Sequence, residues 1–209
     1  MLLAVDTSTR AIGVALYDGS RVLSAETWVS DNYHTVELAQ SVADNLSRVG
    51  VEPEDLEAVA VALGPGSFTG LRIGLAFAKG IAFPRGLPLV GIPTLDVVAS
   101  SQALNTIPLA AVLQAGRKRL AVGWYIPGEG SWQSSNELEN LSIEELGEKE
   151  AIREALKDNT NAVLASPAHA LRNPAFLAEL AWERLQAGDV DDAATLSPIY
   201  LHRGDPIPG

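Results

Sequence analysis

Ala60-Val61-Ala62-Leu63-Gly64-Pro65-Gly66-Ser67-Phe68-Thr69-Gly70-Leu71-Arg72-Ile73-Gly74-Leu75-Ala76-Phe77-Ala78-Lys79-Gly80 begins as an unbroken apolar run of strand length. It then passes through a glycine-rich turn and continues with small residues four apart, the pattern of a strand, a tight turn and a helix. Pro65 predicts an extended Gly64, Gly66 is free to take a positive φ, and Ser67 or Thr69 can cap the helix. Bare amides beside a helix N-terminus suit an anion such as phosphate. Gly64-Pro65-Gly66 is nevertheless neither a P-loop nor a dinucleotide fingerprint, and Lys79 lies far beyond the helix start. A tight connection whose glycines permit close packing also explains the turn.

Outward from this stretch, Leu2–Val5, Ile12–Tyr17 and Val22–Trp28 read as strands, with Asp18-Gly19-Ser20 a hairpin turn between the last two. The three are expected in antiparallel order. Leu38, Val42, Leu46 and Val49 form one helical stripe, so a helix is expected from His34 to Val49, stopped by Gly50. Strands follow at Leu56–Leu63 and Leu87–Ile92, with a helix from Thr94, its expected cap, toward Ala103. Beyond Asn105-Thr106-Ile107-Pro108 the pattern predicts strands at Leu109–Leu113, Leu120–Ile126, Gln133–Leu138 and Ala162–Ala165. Helices are expected at Lys149–Lys157 and Pro174–Gln186, and Pro198–Leu201 closes the chain as an apolar segment. Helices and strands alternate, so the class is α/β with a mixed sheet.

Apolar residues make up 47% of 209, enough for a real core. The formal net charge is -11, which repels a phosphate backbone and argues against direct nucleic-acid binding by this chain alone. Without cysteine there is no disulfide, thiol catalyst or zinc-thiolate site, which fits a reducing cytoplasm. Asp6 interrupts the opening apolar run too soon for a signal-peptide core. The apolar stretch Leu71–Phe83 carries Arg72 and Lys79 and is too short to span a bilayer. A soluble, cytoplasmic protein is expected, with no membrane contact.

Three places offer chemistry. Asp6-Thr7-Ser8-Thr9 closes the first strand with a carboxylate and three hydroxyls, suited to phosphate, to hydrated magnesium, or to a plain turn. His34, His169 and His202 lack ligand-spaced partners, apart from Asp205 near His202, so no metal site and no catalytic set is expected. Arg117-Lys118-Arg119 sits in a turn, where solvation explains it. The helix from Gly70 differs, because it is apolar nearly all round. Its sheet covers one side, only the helices at 34–49 and 94–103 are expected as neighbours, and a partner is expected to bury the rest.

Several of these residues resemble the bacterial TsaB (YeaZ) family. They are Asp6-Thr7-Ser8 with Ala11 and a hairpin, His34 opening a helix, Gly64–Gly74 with Ala78-Lys79-Gly80, Pro88–Leu95, and the closing Pro198-Ile199-Tyr200-Leu201. The resemblance is close over residues 1–100 and thin over 105–195. It implies the fold of the actin, hexokinase and heat-shock chaperone ATPases, with an N-terminal subdomain at 1–104. A smaller, degenerate second subdomain at 105–209 would follow, its C-terminal segment packing back on the first.

The resemblance further implies a role in making N6-threonylcarbamoyladenosine in tRNA. The chain would be a non-catalytic partner of the transferase TsaD and the small ATPase TsaE, a homodimer when alone, meeting tRNA only through the complex. An older glycoprotease label for such proteins finds no protease machinery here. The transferase carries His-Leu-Glu-x-His where this chain has Thr94-Leu95-Asp96-Val97-Val98, so the two histidine positions hold Thr94 and Val98. Members of the family it resembles commonly carry Asp-Ala-Arg-Arg-Gly-Glu where this chain has Gln114-Ala115-Gly116-Arg117-Lys118-Arg119, so an amide and a base replace the two acids of that loop.

Two readings therefore stand side by side. In the first the chain is an interaction subunit that docks through His34, Leu38, Val42, Leu46, Gly70, Leu71, Ile73, Gly74, Phe77 and Ala78, with no required cofactor. In the second it is an ATP-dependent transferase or phosphotransferase. ATP or ADP, weakly held or at the partner interface, would then meet Asp6, Thr7, Ser8, Gly64, Gly66 and Ser67.

Overall fold

Strands β1 (Leu2–Asp6) and β4 (Ala58–Gly64) read as unbroken apolar runs because both of their faces are covered by helices. The computed structural model describes residues 1–30, 35–115, 119–149 and 172–201. With β2 (Ala11–Tyr17), β3 (Val22–Val29) and β5 (Leu89–Pro93), β1 and β4 form a sheet ordered β3-β2-β1-β4-β5. The first three strands pair antiparallel, as expected, while β1–β4 and β4–β5 are parallel. At the β2–β3 hairpin Gly19 takes φ 93°, and a Cβ there would overlap the Trp182 ring, so only glycine suits both the turn and the contact.

Helices α1 (Thr35–Val49) and α2 (Phe68–Ala82) cover one face of this sheet, and α3 (Thr94–Ser100) begins on the other. The period-2 alternation of the strands sorts the side chains. Leu3, Val5, Val14 and Leu16 pack under Leu38, Val42 and Leu46 of α1, while Val59, Val61 and Leu63 pack under Leu75, Ala78 and Ala82 of α2. A second, antiparallel sheet holds β6 (Leu109–Gln114), β7 (Arg119–Pro127) and β8 (Trp132–Ser142) in that order. A short α4 (Ile143–Glu148) follows, and Ser142 and Glu145 close its first turn as a capping box. The Ser142-x-x-Glu145 spacing is the signal that reveals α4, an element absent from the pattern of apolar residues.

Helix α5 (Pro174–Gln186) returns to the first sheet, with Asn173 as its cap and Pro174 at its first position. Leu177, Ala178 and Ala181 lie on Ala4, Ala15, Ala58, Ala60 and Ala62, whose small side chains allow a close approach. After α5 the chain runs back over α2. Asp191 bridges to Leu89, Ile199 N donates to Leu63 O at 2.8 Å, and Lys79 Nζ donates to Leu196 O at 2.8 Å.

That path corrects the expectation for α2. Gly70, Leu71, Gly74 and Ala78 are buried, but by their own chain: a Cβ on Gly74 would collide with Thr7 Oγ1, and Ala78 packs on the sheet. Leu196 and Ile199, from the C-terminal segment, supply a neighbour that helix periodicity did not foresee. Leu38, Val42 and Leu46 are likewise core residues, all under 7% exposed. The small-residue stripe thus admits the end of β1, not a foreign helix. Ile73 and Phe77 are half-buried, and His34 lies outside the described residues. So do His169, His202, Asp205, the strand expected at 162–165 and nearly all of the helix expected at 149–157.

Candidate functional site

Because β1 and β4 are parallel neighbours, their carboxyl ends bring Asp6, Thr7 and Ser8 beside Gly64, Gly66 and Ser67. The local sequence explains the geometry. Gly64 has φ 109°, a conformation that L side chains rarely adopt, and so carries the positive φ that the glycine pattern placed at Gly66. Gly66 is instead required by contact, since a Cβ there would collide with the Ser8 carbonyl. Ser67 caps α2 by accepting from Gly70 N at 3.3 Å.

The side chains of Asp6, Thr7, Ser8 and Ser67 and the amides of Gly64 and Ser67 all have partners in the chain. Asp6 Oδ1 accepts from Ser8 N at 2.8 Å and from Ser8 Oγ at 2.6 Å. Its Oδ2 accepts from Arg172 Nε at 2.7 Å, and both side chains are 3% exposed or less. Arg172 Nη2 also donates to Thr9 Oγ1 at 2.8 Å and to Ala11 O at 3.2 Å. Thr7 Oγ1 donates to Gly70 O at 2.7 Å, and Ser67 N donates to Ser8 O at 2.6 Å. Gly64 N donates to Thr94 Oγ1 at 3.0 Å, so Thr94 braces the turn and does not cap α3.

Arg172 Nε occupies Asp6 Oδ2, the carboxylate oxygen that a cation would otherwise use, and Ser67 N is spent on the Ser8 carbonyl. A cation held by Asp6 would have to compete with Arg172 for that oxygen. Sequence reasoning missed Arg172, which no local spacing links to a carboxylate 166 positions away. Its one visible signal is that it stands just before the Asn173-Pro174 helix start. Val98 packs with Leu95 and Ala99, and Arg119 serves Asn140 and Glu145 in the α4 cap.

A family model described as tRNA N6-adenosine threonylcarbamoyltransferase (TsaD) matches residues 28–181. The chain is 40% identical over 98 residues to the Escherichia coli tRNA threonylcarbamoyladenosine biosynthesis protein TsaB. That stretch is 47% of this chain and 42% of the relative. It is 30% identical over 124 residues to the Bacillus subtilis TsaB, covering 59% and 54% of the two chains. The chain belongs to this family, as a TsaB/YeaZ-type member. The matched stretches span about half the length of these curated TsaB relatives.

The TsaB/YeaZ assignment extends to three dimensions. A solved structure of YeaZ from Pseudomonas aeruginosa matches with a TM-score of 0.80 and 26% identity, over 96% of this chain and 99% of that one. The α/β fold with a mixed sheet expected from the sequence is therefore the fold of this chain, shared with the YeaZ structure over nearly its whole length.

Proposed function

We propose that this chain is a non-catalytic subunit that docks on a TsaD-type transferase and supports N6-threonylcarbamoylation of tRNA in the cytoplasm. The named TsaB relatives supply the pathway. One observation carries the non-catalytic role: Arg172 neutralises Asp6 inside the protein, at the strand end where actin-like enzymes would bring a nucleotide's phosphates. A buried pair of this kind is costly to open, since removing one partner leaves an uncompensated charge. Neither ATP nor a metal is then required by this chain. We assign residues 1–104 and 105–209 to two subdomains, with α5 and the C-terminal segment of the second packing back on the first.

Docking falls to the outer side of the helices named in the sequence, one step round from the buried stripe. On α2 the exposed Ala76 and Gly80 lie four apart beside half-buried Ile73 and Phe77, with Phe83 74% exposed just after the helix. On α1 the exposed Val36, Ala39 and Ala43 repeat the pattern. Small residues four apart let a partner helix approach closely, and apolar surface left in water favours association. The same face would pair two copies when the transferase is absent. A TsaE-like ATPase and tRNA join through the transferase.

Light scattering of the chain mixed with a TsaD-type transferase tests the proposal. One species with the summed mass is expected, and two unchanged species would overturn it. Calorimetry with magnesium and ATP addresses the second reading. Tight binding with turnover by the isolated chain would establish a transferase or phosphotransferase, whereas no turnover is expected.

A further inference from the structure

Between α3, α5 and the second sheet lies a cleft of about 320 Å³, on the opposite side of the first sheet from α1 and α2. Its lining carries three carboxylates, Asp96 on α3 with Glu179 and Glu183 one turn apart on α5. Phe176, Tyr125 and Trp132 supply aromatic walls, and no Lys, Arg or His side chain lines it among the described residues. The walls are held in place. Tyr125 OH donates to Asp96 Oδ1 at 2.6 Å, and Trp132 Nε1 donates to Gln102 O at 3.1 Å. The volume sits at the lower end of the range for small-molecule sites. Burial of Asp96 disfavours its charged form, with the Tyr125 hydroxyl offsetting part of that effect.

We propose that this cleft binds a small aliphatic amine. An ammonium group there gains the carboxylates as counter-charges and the ring faces as a second source of attraction, while its alkyl part covers apolar wall. A phosphate or carboxylate ligand is excluded by the same three charges. This site is separate from the transferase-docking face and from the Asp6 cradle, so its test does not depend on either.

The probe is 1,5-diaminopentane titrated into the full chain at physiological salt, followed by calorimetry and by Trp fluorescence. Saturable one-site binding is expected. Glu179→Gln with Glu183→Gln, both exposed on α5, should weaken it about fivefold to tenfold, the scale of two partly exposed ion pairs. A control pair with the same change in net charge, Asp44→Asn with Glu54→Gln, should leave the affinity unchanged. Absence of saturation, equal weakening by the control pair, or equal binding of uncharged 1,5-pentanediol would each overturn the proposal.

Discussion

Arg172 Nε lies 2.7 Å from Asp6 Oδ2, and the two side chains are almost wholly out of water. The pair ties the residue before α5 to the end of β1, so the returning helix and the strand-end cradle are one construction. Arg172→Met leaves the Asp6 carboxylate buried and uncompensated. It should cost about 3–5 kcal/mol of unfolding free energy by urea titration. Asp6→Asn combined with Arg172→Met should cost less than the sum of the two single changes, because the second removes the charge that the first exposes.

Two glycines of α2 should respond in opposite directions. Gly74→Ala drives a Cβ into Thr7 Oγ1 and should destabilise the chain by about 1–3 kcal/mol. Gly80 has open space around its Cβ position, so Gly80→Ala should stabilise by about 0.5–1 kcal/mol through helix propensity. Thermal or urea unfolding of the isolated chain separates the two. Equal effects would show that the helix faces have been assigned wrongly.

Asp96 predicts a pH dependence. Burial raises its carboxyl above the ordinary 3.8. The folded chain therefore keeps that proton over a pH range in which the unfolded chain has already released it. The contribution to stability is full below the ordinary value and is lost as pH rises toward the raised one. Asp96→Asn keeps an oxygen for the Tyr125 hydroxyl and removes this loss. The variant should be more stable than the parent at neutral pH, with the difference vanishing in acid below the ordinary carboxylate range. A urea series across pH measures it.

Much of this architecture is legible from local chemistry. Asp18-Gly19 marks the hairpin, the 38, 42, 46 stripe marks α1, and Asn173-Pro174 marks the start of α5 to the residue. Orientation about a helix axis is less legible, because periodicity reveals which residues share a face but not what covers it. Gly70, Gly74 and Ala78 do form a close-approach surface, yet Gly70 and Gly74 meet Thr7 just after β1 and Ala78 meets the side chains of β4. Helix periodicity does not reveal the cover from Leu196 and Ile199, which comes from a segment without regular structure more than a hundred residues on; only the family resemblance implies that the C-terminal segment packs back. Arg172 shows the limit most plainly, since an ion pair across this separation leaves no pattern in the chain.

Ala76, exposed at the middle of α2, provides the most direct measurement of the docking account. Ala76→Arg places a long charged side chain on the proposed contact face while leaving the core untouched. Its unfolding free energy should change by no more than about 0.5 kcal/mol. In a reconstituted reaction with a TsaD-type transferase, a TsaE-like ATPase and tRNA, the variant should fail both to form the mixed species and to support modification. A folded Ala76→Arg chain that binds the transferase and sustains modification as the parent does would contradict the account.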